Sequence, residues 1–339
     1  MVRRTPRWSI QSMLSLIVGV LLVSGQVRAW GPNGHRTIAT IAQRLLVGTR
    51  AEKHVHTILG PIDLVAASVW ADCAKGVMPP GFNYVGAGRF PECGVFETTA
   101  GEADMIDYVR RNDSNCDRKP TEESCHKQYH YADIAIEHNH YDSSFHGARP
   151  DDIVGAVRAA IQVLLGFPAE SPFSIRDRRE ALLLLAHYVG DIHQPLHVGA
   201  IYLDPNGKRV DPDTAPFDPA TETRGGNQIA VDRRGKLHAA WDAIPTSFKD
   251  AQVSVDWVRH AAAVPVTKGK ILHWSATWAS DTQKEAVAAF RGLTFGPRTG
   301  STWDTTLASD YRTSMDAIKE RQLTKAGARL AQLLMAIWP

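Results

Sequence analysis

Residues 174–197 read SIRDRREALLLLAHYVGDIHQPLH. Apolar residues fall on every side of a helical wheel through Ala181–Leu185, so a helix from Ser174 to Gly190 belongs at the centre of the protein rather than on its surface. Ser174 and Asp177, three apart, read as a variant capping box that starts it. Pro195 ends it, because proline lacks the amide proton that a helix needs. His187 and Asp191 interrupt the apolar run. Four apart, they share one helical face and can converge on one ion or on neighbouring ions, while Pro195 swings His197 elsewhere. Buried polar groups need partners, so this interruption is informative.

Outward from this segment, helical spacing of apolar residues recurs over Ile38–Leu46, Ile153–Leu165 and Tyr311–Ile337. Strand patterns are scarce; one hairpin is expected, with Gln228–Val231, a turn over Asp232–Gly235 and a return. The expected fold is mainly α, a single multi-helix domain over 30–339 with a short β-hairpin. Two stretches read as insertions into it. Residues 76–128 are rich in glycine and proline and hold three of the four cysteines, and 199–223 form a Pro/Asp loop. The aspartates of that loop, Asp204, Asp211, Asp213 and Asp218, read as solvated turns rather than a calcium site.

The first 29 residues stand apart. Arg3, Arg4 and Arg7 precede an apolar run from Met13 to Val23 and then Val27-Arg28-Ala29, the pattern of a secretory signal peptide cleaved before Trp30. The run is shorter than the ~20 residues that span a bilayer, so no membrane span is expected. Removing its four arginines leaves 34 basic against 36 acidic residues, a formal charge of −2. That balance excludes a general electrostatic grip on polyanions; a nucleic acid would have to be held locally, by metal and stacking. Cys73, Cys93, Cys116 and Cys125, an even number in an exported chain, predict two local disulfides of open pairing. No C-x-x-C and no phosphate-cradling glycine loop occurs, which argues against dithiol redox chemistry and nucleotide-driven enzymes.

A second His-x-x-x-Asp pair, His238 and Asp242 in LHAAWD, repeats the spacing of His187 and Asp191. Either pair alone could be a core histidine satisfied by its carboxylate; together they favour metal. Further donors stand in WGPNGH (Trp30–His35), WAD (Trp70–Asp72) and HYAD (His130–Asp133). With H-x-x-x-D-x-x-x-x-x-H at 187–197 and Gly225-Gly226-Asn227 before LHAAWD, the chain resembles the class I zinc-dependent nucleases. These are single-strand-specific enzymes of fungi, plants and bacteria that share their fold with bacterial zinc phospholipase C. The resemblance runs from Trp30 to Asp242.

The resemblance implies three Zn2+ ions. Asp72, His130, His187 and Asp191 would hold one; the amine and carbonyl of Trp30, with His35 and again Asp191, a second; His197, His238 and Asp242 a third. Asp191 is the implied bridge. Such donors suit phosphodiester hydrolysis, since paired metals ionise a water at neutral pH and offset the charge that repels attack. The implied catalytic residues are Asp72, Lys75 and Asp191, although Lys75 stands where many members carry arginine and cannot form its bidentate fork. Tyr131 falls where the family stacks a base and Asp133 where it reads the base edge; Asn227, in Gly225-Gly226-Asn227, matches the motif as a third candidate substrate contact or as a residue that shapes the hairpin. The implied activity is hydrolysis of single-stranded DNA and RNA to 5′-nucleotides, with 3′-nucleotidase activity, by a secreted or periplasmic monomer. The alternative is a phospholipase C, which carries glutamate where this chain has Asp242. His138, His140, His146 and His193 are expected to be surface or supporting groups rather than ligands.

Overall fold

The computed structural model describes residues 30–117, 122–214, 216–231 and 235–339. The expected signal peptide and the turn residues 232–234 lie outside them. The helices are α1 (Gly31–Leu46), α2 (Arg50–Leu59), α3 (Leu64–Ala67), α4 (Trp70–Ala74), α5 (Thr99–Arg111), α6 (Cys125–Gln128), α7 (Ile153–Leu164), α8 (Arg178–Asp191), α9 (Leu237–Asp242), α10 (Val255–Ala262), α11 (Trp274–Ala289) and α12 (Tyr311–Ile337). The architecture is mainly α, as expected.

Helix α8 is the axis of the molecule. Every residue from Glu180 to Asp191 is buried, and α1, α2, α3, α4, α7 and α12 pack around it. Each of Leu182–Leu185, at most 1% exposed, contributes roughly 1.5–3 kcal/mol through burial. The start of α8 differs from expectation. Asp177, not Ser174, is the N-cap, its carboxylate accepting from the amide of Glu180, as a charged oxygen at the positive end of the helix dipole does well. Ser174 instead receives the Arg111 guanidinium on its carbonyl.

The 76–128 segment is more than a loop. It contains α5, which joins the main core through Met105, Tyr108 and Val109, and Tyr108 Oη lies 2.9 Å from Tyr188 Oη in α8. Arg111 donates to Glu180 at 2.6 Å. The two disulfides are Cys73–Cys93 and Cys116–Cys125; the first fastens α4 beside Asp72.

The expected hairpin is present, with Ile229–Val231 antiparallel to Gly235–Lys236, but it belongs to a larger sheet. Thr302–Leu307 runs parallel to Ile229–Val231 and antiparallel to Leu293–Thr299, giving four strands. Trp241 of α9 and Trp303 of this sheet centre a second core. In the 199–223 segment, Gly199–Ala200 pairs with Ile134–Ala135 and Tyr202–Leu203 with Arg209–Val210. Asp204, Asp211 and Asp218 each accept a backbone amide two residues on, the turn role expected of them.

Candidate metal centre and cleft

Five donors come from four places that α8 holds together. His187 and Asp191 project from α8 itself, His35 from α1, Asp72 from α4, and His130 follows α6. Asp191 faces two ways: Oδ2 lies 2.7 Å from His130 Nδ1 and 3.2 Å from His187 Nε2, and Oδ1 lies 3.3 Å from His35 Nε2. The His35 and His187 rings stack at 3.8 Å. Gly190 permits that approach, since a Cβ there would sit 2.6 Å from His35 Nδ1. Ligand atoms of His35, Asp72 and His187 converge within 4.8 Å, as do those of His130, His187 and Asp191. The two expected groups are therefore one continuous cluster, with His35 close to Asp72 as well as to Asp191.

His197, His238 and Asp242 form the other group, also within 4.8 Å. His197 sits on the short turn Pro195–His197 that follows α8, and His238 and Asp242 are four apart on α9. The groups adjoin, because His197 Nδ1 donates to the carbonyl of His130 at 2.7 Å.

The imidazole hydrogen bonds decide what these sites accept. His187 Nδ1 donates to Ser68 O, His197 Nδ1 to His130 O and His238 Nδ1 to Gly225 O, each at 2.7 Å. A carbonyl can only accept, so in each neutral ring the proton is on Nδ1 and the Nε2 lone pair faces inward. Burial also pushes His197 down to about 4 and His238 to about 3, which keeps both neutral. Their two Nε2 atoms nevertheless lie 3.0 Å apart. Facing lone pairs repel unless a cation lies between them, and carbonyl-anchored histidines of this kind are the usual metal-ligating arrangement. Both His35 nitrogens and Asp191 Oδ1 are buried without a hydrogen-bond partner, which again fits a metal.

Charge points the same way. Asp72, Asp191 and Asp242 are all buried, and Lys75, 2.8 Å from Asp72, supplies one compensating charge. Lys75, with the imidazoles of His187 and His130, holds Asp72 well below the carboxylate range despite burial. Burial, aided by Asp72 and Asp191, pushes Asp242 well above it. The set is incomplete without added positive charge.

Trp30 is buried, with its indole donating to Gly190 O at 2.9 Å. Its carbonyl accepts from Gly34 N at 3.1 Å, leaving a second lone pair.

A cleft of about 940 Å3 opens over the cluster, lined by Lys75, His130, His197 and His238 and also by Tyr131, Asp133 and Asn227. Tyr131 is half-buried at this wall rather than packed in the core. Asp133 caps no helix; it leads into strand Ile134–Ala135, and burial together with Glu222 raises its carboxyl to about 7. Asn227 donates to Arg224 O at 3.0 Å and so shapes the turn before strand Ile229–Val231.

The S1/P1 nuclease family model matches residues 95–339. The chain belongs to the S1/P1 nuclease family. Endonuclease 2 of Arabidopsis thaliana is 26% identical over 352 aligned residues, which cover 96% of either chain. Endonuclease 1 of the same plant is 24% identical, with 96% of this chain and 93% of the relative covered. Endonuclease 4 is 31% identical over 182 residues, 47% of this chain and 50% of its own. This S1/P1 nuclease is thus an endonuclease-type hydrolase of a metal-dependent family that acts on nucleic acid. Among its described residues no helix is long and apolar enough to cross a membrane.

Sequence reasoning passed over two supports of the S1/P1 site. Gln194, inside the HQPLH motif, donates to Asp242 Oδ1 at 2.9 Å; its place between two ligands was the available signal. Lys319, buried in α12, donates to the carbonyls of Ala240 and Ala243 at the end of α9. Nothing in its local sequence marks that role. Of the extra histidines, His193 is buried between Val189 O and Arg329, away from the ligand groups.

Proposed function

We propose that the protein is an exported three-zinc nuclease that cleaves single-stranded DNA and RNA to 5′-nucleotides and also hydrolyses 3′-nucleotides. The observation that carries this reading is the merger of two His/Asp groups around Asp191 at the floor of a cleft whose wall offers Tyr131. Asp72, His130, His187 and Asp191 would hold one zinc, His35 and Asp191 with the main-chain atoms of Trp30 a second, and His197, His238 and Asp242 the third. Bound zinc supplies Lewis acidity, lowering the pKa of water and offsetting phosphate charge.

The chain's own residues do the rest. Asp191 presents one oxygen to each side of the cluster, Ser68, His130 and Gly225 fix the imidazole tautomers, and Lys75 offers a point charge to a phosphate entering the cleft. Tyr131 stacks a base, which favours strands whose bases are unpaired, and Asp133 meets the base edge. Cleavage before Trp30 frees the amine that serves as a ligand. The disulfides fit an oxidising destination.

The test is a substrate panel for the chain beginning at Trp30. Single-stranded DNA, RNA and a 3′-nucleotide should be hydrolysed, duplex DNA more slowly and phosphatidylcholine not at all, with all activity lost to a chelator. Preferred turnover of phosphatidylcholine would overturn the reading in favour of a phospholipase C.

A further inference from the structure

The cleft carries more aromatic surface than one base needs. His146 and Phe217 lie ring against ring, centroids 3.7 Å apart and planes 34° from parallel. Both line the same cleft as Tyr131. Both are half-exposed, so each ring offers area to the cleft that the core does not use. Tyr202 meets each of them edge-on, at 6.0 and 6.3 Å. Phe217 and Tyr202 come from the 199–223 segment, and His146 from the loop after Asp133.

This pair is tied both to that segment and to the base-facing wall. Asp213 accepts from the amide of His146 at 2.6 Å and pairs with His138 Nε2 at 2.8 Å, which fixes the segment against the loop. Asp133 donates its amide to Gly147 O at 3.1 Å, and Tyr202 Oη donates to Asp133 O at 2.7 Å. The rings thus stand beside Asp133, on the same wall as Tyr131. A cleft of about 940 Å3 is at the top of the range for small-ligand sites, with room for more than a single nucleotide. Formal charge in the portion after residue 29 is slightly negative, so grip on a strand beyond its first base has to be local, from stacking and from side chains of the cleft such as Arg149 and Arg224, rather than from long-range attraction.

We propose that the His146–Phe217 pair is a second nucleobase platform, which stacks the base neighbouring the one at Tyr131 and makes the enzyme prefer oligonucleotides over mononucleotides. The inference rests on the single-strand reading above and adds to it a named subsite built by the 199–223 segment. It makes that segment a specificity element.

The experiment compares KM for a single-stranded tetranucleotide with KM for a 3′-mononucleotide in the wild type, Phe217→Ala, Phe217→Leu and Phe217→Tyr. Leucine keeps apolar packing against Tyr202 while removing the ring, and tyrosine restores a ring; circular dichroism checks folding. One lost stacked base is expected to raise the tetranucleotide-to-mononucleotide KM ratio about fivefold to a hundredfold in the alanine and leucine variants. The tyrosine variant should return the ratio to near the wild-type value. A ratio unchanged in all variants, or KM raised equally on both substrates, would overturn the platform while leaving the single-strand reading intact. A wild type that turns over the mononucleotide but no single strand would overturn both.

Discussion

Asp191 is the residue on which the site depends most. Its two oxygens address His130 and His187 on one side and His35 on the other, so replacing one oxygen with an amide nitrogen weakens two ligand sets at once. Asp191→Asn should lower kcat/KM on single-stranded DNA by at least ~10²-fold, the loss associated with removing one strong transition-state stabiliser, with zinc content falling in parallel. Near-native kinetics with full metal content would show that the bridge is misassigned. Tyr131 tests recognition rather than chemistry. Because stacking contributes ~1–3 kcal/mol per base, Tyr131→Ala should impair hydrolysis of a 3′-nucleotide about fivefold to a hundredfold more than hydrolysis of a small aryl phosphate. Equal losses on the two would make Tyr131 a packing residue.

At the scale of elements, the site is α8 with its neighbours arranged to meet it, and α9 is the piece most dependent on remote support. It is six residues long, too short to be stable by itself, yet it carries two ligands. Its last carbonyls are satisfied by Lys319, whose ammonium burial lowers to about 8. Lys319→Met would remove the ammonium donor from two partly exposed carbonyls, and should cost about 1–3 kcal/mol in a denaturant melt. It should also weaken retention of the metal assigned above to His197, His238 and Asp242. A change under about 0.5 kcal/mol would show that water replaces the ammonium. How much was legible in the sequence divides along the same line. The placing of the two His-x-x-x-Asp pairs on helices, the apolar spacing of α7 and α12 and the presence of two disulfides were all readable, because local periodicity and local chemistry write them. The four-stranded sheet was not, since its parallel pairing joins Trp303 to Ile229 across more than seventy residues. Nor was α5 within the cysteine-rich segment, where glycine and proline at the flanks masked a helical stretch. Ser174 could not be told from Asp177 as the cap of α8, because two cap-type residues three apart satisfy one pattern, and only the backbone decides between them.

The whole molecule is a helical frame that gathers His and Asp side chains from residues 35 to 242 at one cleft floor, with the 76–128 segment buttressing α8 and the 199–223 segment walling the cleft. The proposed centre requires three metal sites, one of which would use an amine freed only by cleavage before Trp30. The direct measurement is zinc per chain, by elemental analysis, in active protein beginning at Trp30 and in the same chain with two residues left before it. Three zinc ions are expected in the first form. About two are expected in the second, where the Trp30 amine has become an amide, with activity lost while circular dichroism stays unchanged. Three zinc ions and full activity in both forms would remove Trp30 from the site, and one zinc or none in active enzyme would contradict the three-metal centre itself.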